Sequence, residues 1–452
     1  MASEPLMRTE GVRTSQTPLF DANVGAAFEA ELDIYVAAIV ELAVLTPSEF
    51  AARYIDYSCD VRELAAHARR VLASQEAESL LASLSKHGIF KCAGAGGVCA
   101  LVKTEPLLEK MARDAMEEAG LEVPSYFYCS WDSVCFLGPS QVTDTACPSW
   151  LHRDIRLGVG ASDGVQLMVN LSPCTQDGPA GDACFVYVPR SHDCPEAQRT
   201  VEEFVAAGAD RAAITKLFKA DFVQARLVVR QGDKAEPEQS LLWPRGSDAP
   251  PLARATIPAR GAVAWDSRLL HSGSLFTKPG RPQPRRTKYV HYFGISKDKA
   301  AARVQKLALT KSRQFTLAMV RGDESYTEER FALEFPGVSP RVVYPIAVTT
   351  PHRGTRKNNS GKFDTFRSGK RERMLTELNE RLDHPMVRNF FSLPFMLARS
   401  LQLLYPAELA ATPCTQLAGA CIMAMQKVPE QLHALSPAAA ERVTNLAYLH
   451  GV

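Results

Sequence analysis

Between residues 125 and 296 the chain replaces helical periodicity with a series of short apolar segments, and this change most constrains its fold. The segments are rich in β-branched and aromatic residues and are bounded by Gly, Pro, Ser and Asp, as is typical of short strands. They are SYFYCSWDSVCFLG (125–138), GVQLMVNLSP (164–173), ACFVYVPRSH (183–192), GAVAWDSRLLH (261–271) and TKYVHYFGIS (287–296). Several short strands of this kind predict a double-layered barrel of the jelly-roll type.

The two flanks have a different pattern. Residues 24–119 are rich in Ala, Leu and Glu, with apolar residues three and four apart, and helical character returns after residue 297. We therefore expect an α+β chain with a helical N-terminal flank (1–120), a barrel core (121–296) and a helical C-terminal extension (297–452). Within the core, residues 193–260 form an insertion, which is either a lid or substrate loop beside the site or a solvated excursion.

Composition excludes several classes of protein. Lys and Arg (52) nearly balance Asp and Glu (50), so there is no strong electrostatic signal for a nucleic-acid or membrane-surface partner. The 11 cysteines are scattered without CxxC pairs, and the first residues carry no secretory leader, which favours free thiols in the cytoplasm. No apolar run is long enough to cross a membrane. The helical flanks offer surfaces for a possible homo-oligomer.

Three potential metal ligands lie within the predicted barrel core, residues 121–296. His152 and Asp154 lie two residues apart, so on an extended strand both side chains project to the same face. His271 follows far downstream, at the end of another predicted strand. Two imidazoles and one carboxylate, with coordination positions left open, form the ligand set that holds non-haem Fe(II) for oxygen chemistry.

The order of these blocks resembles a known family. WLHRD around the first two ligands is followed by GVQLMVNLSP, DGPAGDACFVYVPRSH, GAVAWDSRLLHSGS and RRTKYVHYFG. Together, over about residues 125–296, they resemble the phytanoyl-CoA dioxygenase-like branch of the Fe(II)/2-oxoglutarate dioxygenase superfamily. The resemblance implies a double-stranded β-helix, the cupin-like form of the jelly-roll, and it says little about either flank.

The resemblance also implies roles for individual residues. His152, Asp154 and His271 would bind iron, and Arg285 would hold the distal carboxylate of 2-oxoglutarate with its planar, permanently charged fork. Arg286 is the rival for that role, because a one-residue slip would turn the other side chain inward. Relatives often have a serine two residues after the last histidine, where this chain has Gly273. Ser272 and Ser274 lie on either side of it, so whether a hydroxyl helps to hold the distal carboxylate stays open.

The implied activity is oxidation of a C–H bond with O2 and 2-oxoglutarate, releasing succinate and CO2. Hydroxylation, desaturation and ring closure all remain open, whereas Asp154 occupies the position that related halogenating oxygenases leave small for a halide. A small-molecule metabolite or natural-product intermediate is the expected substrate, and a protein or nucleic-acid target is an alternative. A second alternative is a non-catalytic barrel that binds a ligand or partner and keeps a vestigial metal site.

Overall fold

The structure is a computed structural model, and it describes only part of the chain. The described residues are 6–55, 60–84, 88–90, 97–123, 127–129, 134–138, 164–171, 185–193, 253–273, 284–294, 377–378, 380–382, 384, 387, 390–391, 393–425 and 435–449. Within these ranges the protein combines α-helices with antiparallel sheets.

Helices occupy most of the described N-terminal and C-terminal residues. In the first part of the chain they are α1 (Leu6–Thr9), α2 (Ala22–Leu42), α3 (Pro47–Tyr54), α4 (Val61–Leu72), α5 (Gln75–Leu84) and α6 (Pro106–Glu118), with a 3-10 helix at Ala100–Thr104. Near the C-terminus they are α7 (Leu393–Leu404), α8 (Pro406–Leu409), α9 (Cys414–Met425) and α10 (Pro437–Leu449). None of the helices in the described ranges combines the length and the hydrophobicity that a bilayer-spanning segment needs.

Local sequence signals explain where several helices begin. Thr46 and Glu49 form a capping box at the start of α3, and Pro47 occupies the first turn, where its missing N–H costs nothing. The Asp60 side chain accepts a hydrogen bond from the Arg62 N–H at the start of α4. Helix α2 is buried along nearly its whole length and packs against α4 and α7, so it forms the centre of the helical layer.

The strands in the described part of the chain form two antiparallel sheets. They are β1 (Val12–Thr14), β2 (Ile89–Phe90), β3 (Phe127–Cys129), β4 (Val134–Leu137), β5 (Gly164–Asn170), β6 (Phe185–Tyr187), β7 (Ala253–Arg254), β8 (Ala262–Asp266), β9 (His271–Gly273) and β10 (Arg285–Gly294). The larger sheet has the order β1-β8-β5-β10-β4-β2, with β3 also paired to β10. The smaller sheet has the order β7-β6-β9.

The two faces of the larger sheet contact different surroundings. On one face, alternate residues of β5, β8 and β10, such as Leu167, Ala264 and Val290, belong to the same apolar cluster as the helices. On the other face, Met168, Val263 and Trp265 pack with Phe185 of the smaller sheet. Side chains alternate along a strand, so neighbouring residues of one strand reach opposite faces. We call the second face, which is turned toward the smaller sheet, the interior face.

Short segments outside the predicted strands add an edge strand or strands to each sheet. Within the expected helical flank, β1 pairs with β8 and β2 pairs with β4. Within the expected insertion, β7 pairs with β6. Residues 194–252, the rest of that insertion, lie outside the described residues. The flank and the insertion therefore each contribute edge strands to the sheets.

Charged residues are buried where α2 meets β10. Glu31 of α2 is 4 % exposed, and its Oε1 accepts a hydrogen bond of 2.9 Å from the Cys99 N–H. Burial raises the pKa of Glu31 to about 7, although the nearby charges of Arg399 and Lys288 oppose this rise. Glu31 therefore titrates near neutral pH in the folded protein.

We expect Glu31 to make the protein less stable as the pH rises. Its folded-state pKa lies above the unfolded value, so its stabilising effect is complete below about pH 4.5 and is lost as the pH rises through about 7. A shift of this size corresponds to about 3 kcal/mol. Glu31→Gln keeps an acceptor for the Cys99 N–H and should flatten the fall in the unfolding midpoint between pH 5 and pH 8. Equal pH slopes in the two proteins would contradict this assignment.

Candidate active site

The structure places three of the five predicted site residues. His271 begins β9, and Arg285 and Arg286 begin β10. His152 and Asp154 lie outside the described residues. Among the residues that are described, no group of three or more His, Cys, Asp or Glu side chains could hold a metal ion. The expected ligand set therefore needs His152 and Asp154 in addition to His271.

The turn after β6 anchors the backbone that leads into His271. The Leu270 N–H donates a hydrogen bond of 2.9 Å to the Ser191 hydroxyl, and the Leu270 carbonyl accepts one of 2.9 Å from the Val188 N–H. Ser191 belongs to the PRSH passage, and the preceding residue, Arg190, has a left-handed backbone with φ of 63°. This passage therefore fixes the strand that presents His271.

The His271 ring is enclosed by aromatic side chains. It stacks on Phe185 with 5.4 Å between ring centroids, and its centroid lies 5.0 Å from that of Trp265. Its Nδ1 lies 2.9 Å from the Leu269 carbonyl oxygen, which can only accept a hydrogen bond, so we assign the proton to Nδ1. Nε2 is then the ring nitrogen that would face a metal ion. A histidine oriented through one nitrogen in this way fits the role of a metal ligand.

Arg285 points to the same side of β9 as His271. A Cβ atom built on Gly273 would lie 3.5 Å from Arg285 Nη1, and Gly273 and His271 are two residues apart on one strand, so their side-chain directions agree. The guanidinium is buried, and Nη2 donates to the Met168 sulfur at 2.9 Å. The Arg285 guanidinium, a cation that can bind a carboxylate, therefore lies on the same side of β9 as His271.

Arg286 points to the helical layer instead. Its Nε and Nη2 donate to the two carboxylate oxygens of Asp33 in α2 at 2.7 and 2.8 Å, and its Nη1 lies 3.7 Å from Glu29 Oε2. Burial raises the pKa of Asp33, and the Arg286 guanidinium opposes this rise. The two arginines therefore lie on opposite faces of the sheet. The co-substrate role assigned to Arg285 stays a prediction.

The interior face carries polar residues that the sequence analysis did not include in the site. On β10, Thr287, Tyr289 and His291 lie on the same face as Arg285. The residues between them face the helical layer. On β5, Gln166 and Asn170 lie opposite His291 and Thr287. The signal was available in the sequence, because the next three alternate residues after Arg285, at 287, 289 and 291, are polar. It could be used only once the inward-facing arginine was known.

Cys135 of β4 lies opposite Thr287 on this face. Burial raises the pKa of its thiol, although the positive charge of Arg285 opposes this rise. The thiol is therefore protonated at neutral pH. Because the thiolate is the form that binds metals, Cys135 is a poor competitor of histidine and carboxylate ligands.

Ser191→Ala should weaken the site through the backbone. The substitution leaves the buried Leu270 N–H without its acceptor, which costs about 1–3 kcal/mol, and it loosens the segment before His271. We expect a lower unfolding midpoint and weaker Mn(II) binding, measured by denaturation and calorimetry. Ser400→Ala, which removes another buried hydroxyl in α7, is the matched control. Equal effects of the two substitutions would show that Ser191 has no special role.

No protein-family model matches the chain, and no curated protein sequence matches it. AviO1, HygX and SnoK are three of the solved structures that resemble it weakly. AviO1 from Streptomyces viridochromogenes Tue57 is 14 % identical, with a TM-score of 0.25, and the match covers 65 % of this chain and 93 % of AviO1.

The second structure is HygX from Streptomyces hygroscopicus with nickel and 2-oxoglutarate bound. It is 11 % identical, with a TM-score of 0.29, and the match covers 66 % of this chain and 88 % of HygX. The third is SnoK, a non-haem alpha-ketoglutarate-dependent carbocyclase from nogalamycin biosynthesis. It is 14 % identical, with a TM-score of 0.22, over 42 % of this chain and 60 % of SnoK. All three TM-scores lie below 0.5.

Proposed function

We propose that this protein is an Fe(II)- and 2-oxoglutarate-dependent oxygenase that oxidises a C–H bond of a small molecule. The observation that carries the proposal is the position of His271 and Arg285 on one side of β9. An imidazole oriented by a backbone carbonyl at Nδ1 and a buried guanidinium are the two kinds of group that bind a metal and a carboxylate. A co-substrate that chelates the metal through one end and carries a carboxylate at the other end fits both groups.

The proposal extends to the core fold. The larger and smaller antiparallel sheets enclose the interior cluster around Trp265 and Phe185, and this arrangement supports a double-stranded β-helix core. We propose that residues 121–296 form that core, with helical regions on either side and an insertion at 193–260. Membership of the phytanoyl-CoA dioxygenase-like branch belongs to the same proposal and rests on the sequence blocks.

In the proposed site, His152, Asp154 and His271 would hold iron, and Arg285 would hold the distal carboxylate of 2-oxoglutarate. Iron, when bound, would supply the activation of O2 that couples decarboxylation of 2-oxoglutarate to C–H oxidation. The chain's own residues would orient the reactants and exclude water. The Leu269 carbonyl fixes the His271 ring, and Phe185 and Trp265 cover it with apolar surface.

Succinate release from 2-oxoglutarate under Fe(II) and O2 tests the proposal. We expect the wild-type protein to form succinate and His152→Ala to lose this activity. His384→Ala, which removes an imidazole outside the sheets, should retain it. Equal succinate formation by the wild type and His152→Ala would contradict the proposal. The absence of succinate from iron-loaded wild type across a broad set of small-molecule substrates would count equally against it and favour a non-catalytic barrel.

A further inference from the structure

Two hydrogen-bond donors meet at Gly273, where relatives often carry a serine. A Cβ atom at this position would lie 3.5 Å from Arg285 Nη1 and 3.7 Å from the Tyr289 hydroxyl. Both distances are ordinary van der Waals contacts. The space that a serine side chain would occupy is therefore bordered by a guanidinium and a phenol, both from β10.

The neighbouring Ser272 does not provide the missing hydroxyl. It alternates with His271 and Gly273 along β9, so its side chain points to the other face of the strand. Its hydroxyl donates to the Gly273 carbonyl at 3.1 Å. Ser274 lies outside the described residues.

Tyr289 is well placed to act with Arg285. The two residues are four apart on β10, so both side chains lie on the interior face. Tyr289 lies opposite Met168, the residue whose sulfur accepts a hydrogen bond from Arg285. A phenol hydroxyl can donate a hydrogen bond to a carboxylate, as a serine hydroxyl can.

Asn170 adds an independent observation. Its side chain is 0 % exposed, and within the part of the chain that the structure describes neither Nδ2 nor Oδ1 has a hydrogen-bond partner. Asn170 lies directly opposite Thr287, so Arg285 and Tyr289 are its two diagonal neighbours on β10. The backbone of Asn170 is fixed by hydrogen bonds to Gly261 and Arg260.

A buried amide without partners is costly, and a polar ligand in the interior would remove that cost. We propose that Tyr289 and Asn170 complete the carboxylate site of Arg285, with the Tyr289 hydroxyl replacing the serine that Gly273 lacks. Arg285 supplies the charge, Tyr289 donates one hydrogen bond, and the Asn170 amide donates another. The identity of the ligand as 2-oxoglutarate rests on the proposed function.

Binding of 2-oxoglutarate to the full chain loaded with Mn(II) tests this site without turnover. Titration calorimetry should show an affinity at least about 10-fold weaker for Tyr289→Phe, because a hydrogen bond to a charged group is lost. Asn170→Leu should weaken binding to a similar extent. The affinity for Mn(II) alone should stay within about twofold of the wild type, because neither residue would bind the metal.

A rescue variant separates a direct role of Tyr289 from a structural one. In the Tyr289→Phe background, Gly273→Ser places a hydroxyl beside Arg285 Nη1, and the added Cβ fits the space. We expect the double variant to recover most of the lost affinity. Tyr35→Phe, which removes a buried phenol hydroxyl from α2, should leave the affinity for 2-oxoglutarate unchanged.

The outcomes distinguish the two proposals. If the wild type binds no 2-oxoglutarate, the proposed function fails. If the wild type binds it and Tyr289→Phe and Asn170→Leu bind equally well, only the inference about these two residues is overturned. As a second test, 2-oxobutyrate lacks the distal carboxylate. If the two substitutions weaken its binding as much as they weaken the binding of 2-oxoglutarate, the inference about Tyr289 and Asn170 is also overturned.

Discussion

Arg286→Met is expected to lower the free energy of unfolding by about 3–5 kcal/mol, because it leaves a buried carboxylate without its partner. Asp33 and Arg286 are both buried, and the guanidinium binds both carboxylate oxygens at 2.7 and 2.8 Å. The pair connects α2 with β10, so its loss weakens the contact between the helical layer and the sheet. Chemical denaturation of the wild type and the variant measures the effect.

A double variant identifies the cause of this loss. Replacing both partners, as in Arg286→Met with Asp33→Leu, removes the charges together and should restore much of the stability, because no buried charge is left alone. A change of less than about 1 kcal/mol in Arg286→Met would mean that the pair is already well solvated. In that case the ion pair of Arg286 with Asp33 would contribute little to stability.

Arg285→Met is expected to affect the binding of 2-oxoglutarate more than the free energy of unfolding, which is the reverse of Arg286→Met. It should weaken 2-oxoglutarate binding by about 100-fold or more, because two charge-assisted hydrogen bonds of about 1.5–3 kcal/mol each are lost. Its effect on unfolding should be smaller than that of Arg286→Met, because Arg286→Met leaves the buried Asp33 carboxylate without the guanidinium that binds both of its oxygens. Calorimetry on the Mn(II)-loaded protein measures the affinity.

Arg285→Lys refines this prediction. Lysine keeps the charge but loses the planar fork, so affinity should lie between those of the wild type and Arg285→Met. Arg286→Lys is the matched control, and its affinity for 2-oxoglutarate should be unchanged in the folded fraction. A greater loss of affinity in Arg286→Lys than in Arg285→Lys would reverse the assignment of the two arginines.

The choice between the two arginines shows where sequence reasoning stops. Arg285 and Arg286 are adjacent, chemically identical and followed by the same strand. Their directions depend on the register of β10, in which Arg285 lies opposite Leu137 and Arg286 opposite Phe136. A shift by one residue exchanges the faces, and no local pattern in the sequence excludes it.

A buried charge in α2 provided a signal that the sequence analysis did not use. The segment ELDIYVAAIVEL is otherwise apolar, yet it contains Glu31, Asp33 and Glu41, and all three are buried. Charged residues in a buried helix need partners, so their presence predicts basic residues on the surface that packs there. Finding that Asp33 binds Arg286 required the tertiary structure, since the two are far apart in the chain.

The strand segments were easier to predict than the edges of the sheets. Segments at 164–173 and 261–271 contain β5 and β8, and the segment at 287–296 contains all but the first two residues of β10. Their β-branched and aromatic residues are strong signals for strands. Strands β1 and β7 are only three and two residues long. They are too short to show alternation, and they form because a neighbouring strand offers hydrogen bonds.

The central claim is that His271 belongs to a site that binds iron and 2-oxoglutarate together. An anaerobic titration tests it directly, because Fe(II) chelated by a 2-oxo acid produces a visible charge-transfer absorption. We expect the wild type and His384→Ala to develop this absorption only when both Fe(II) and 2-oxoglutarate are present, and His271→Ala to lack it. A wild type without the absorption, or a His271→Ala protein with the full absorption, would contradict the claim.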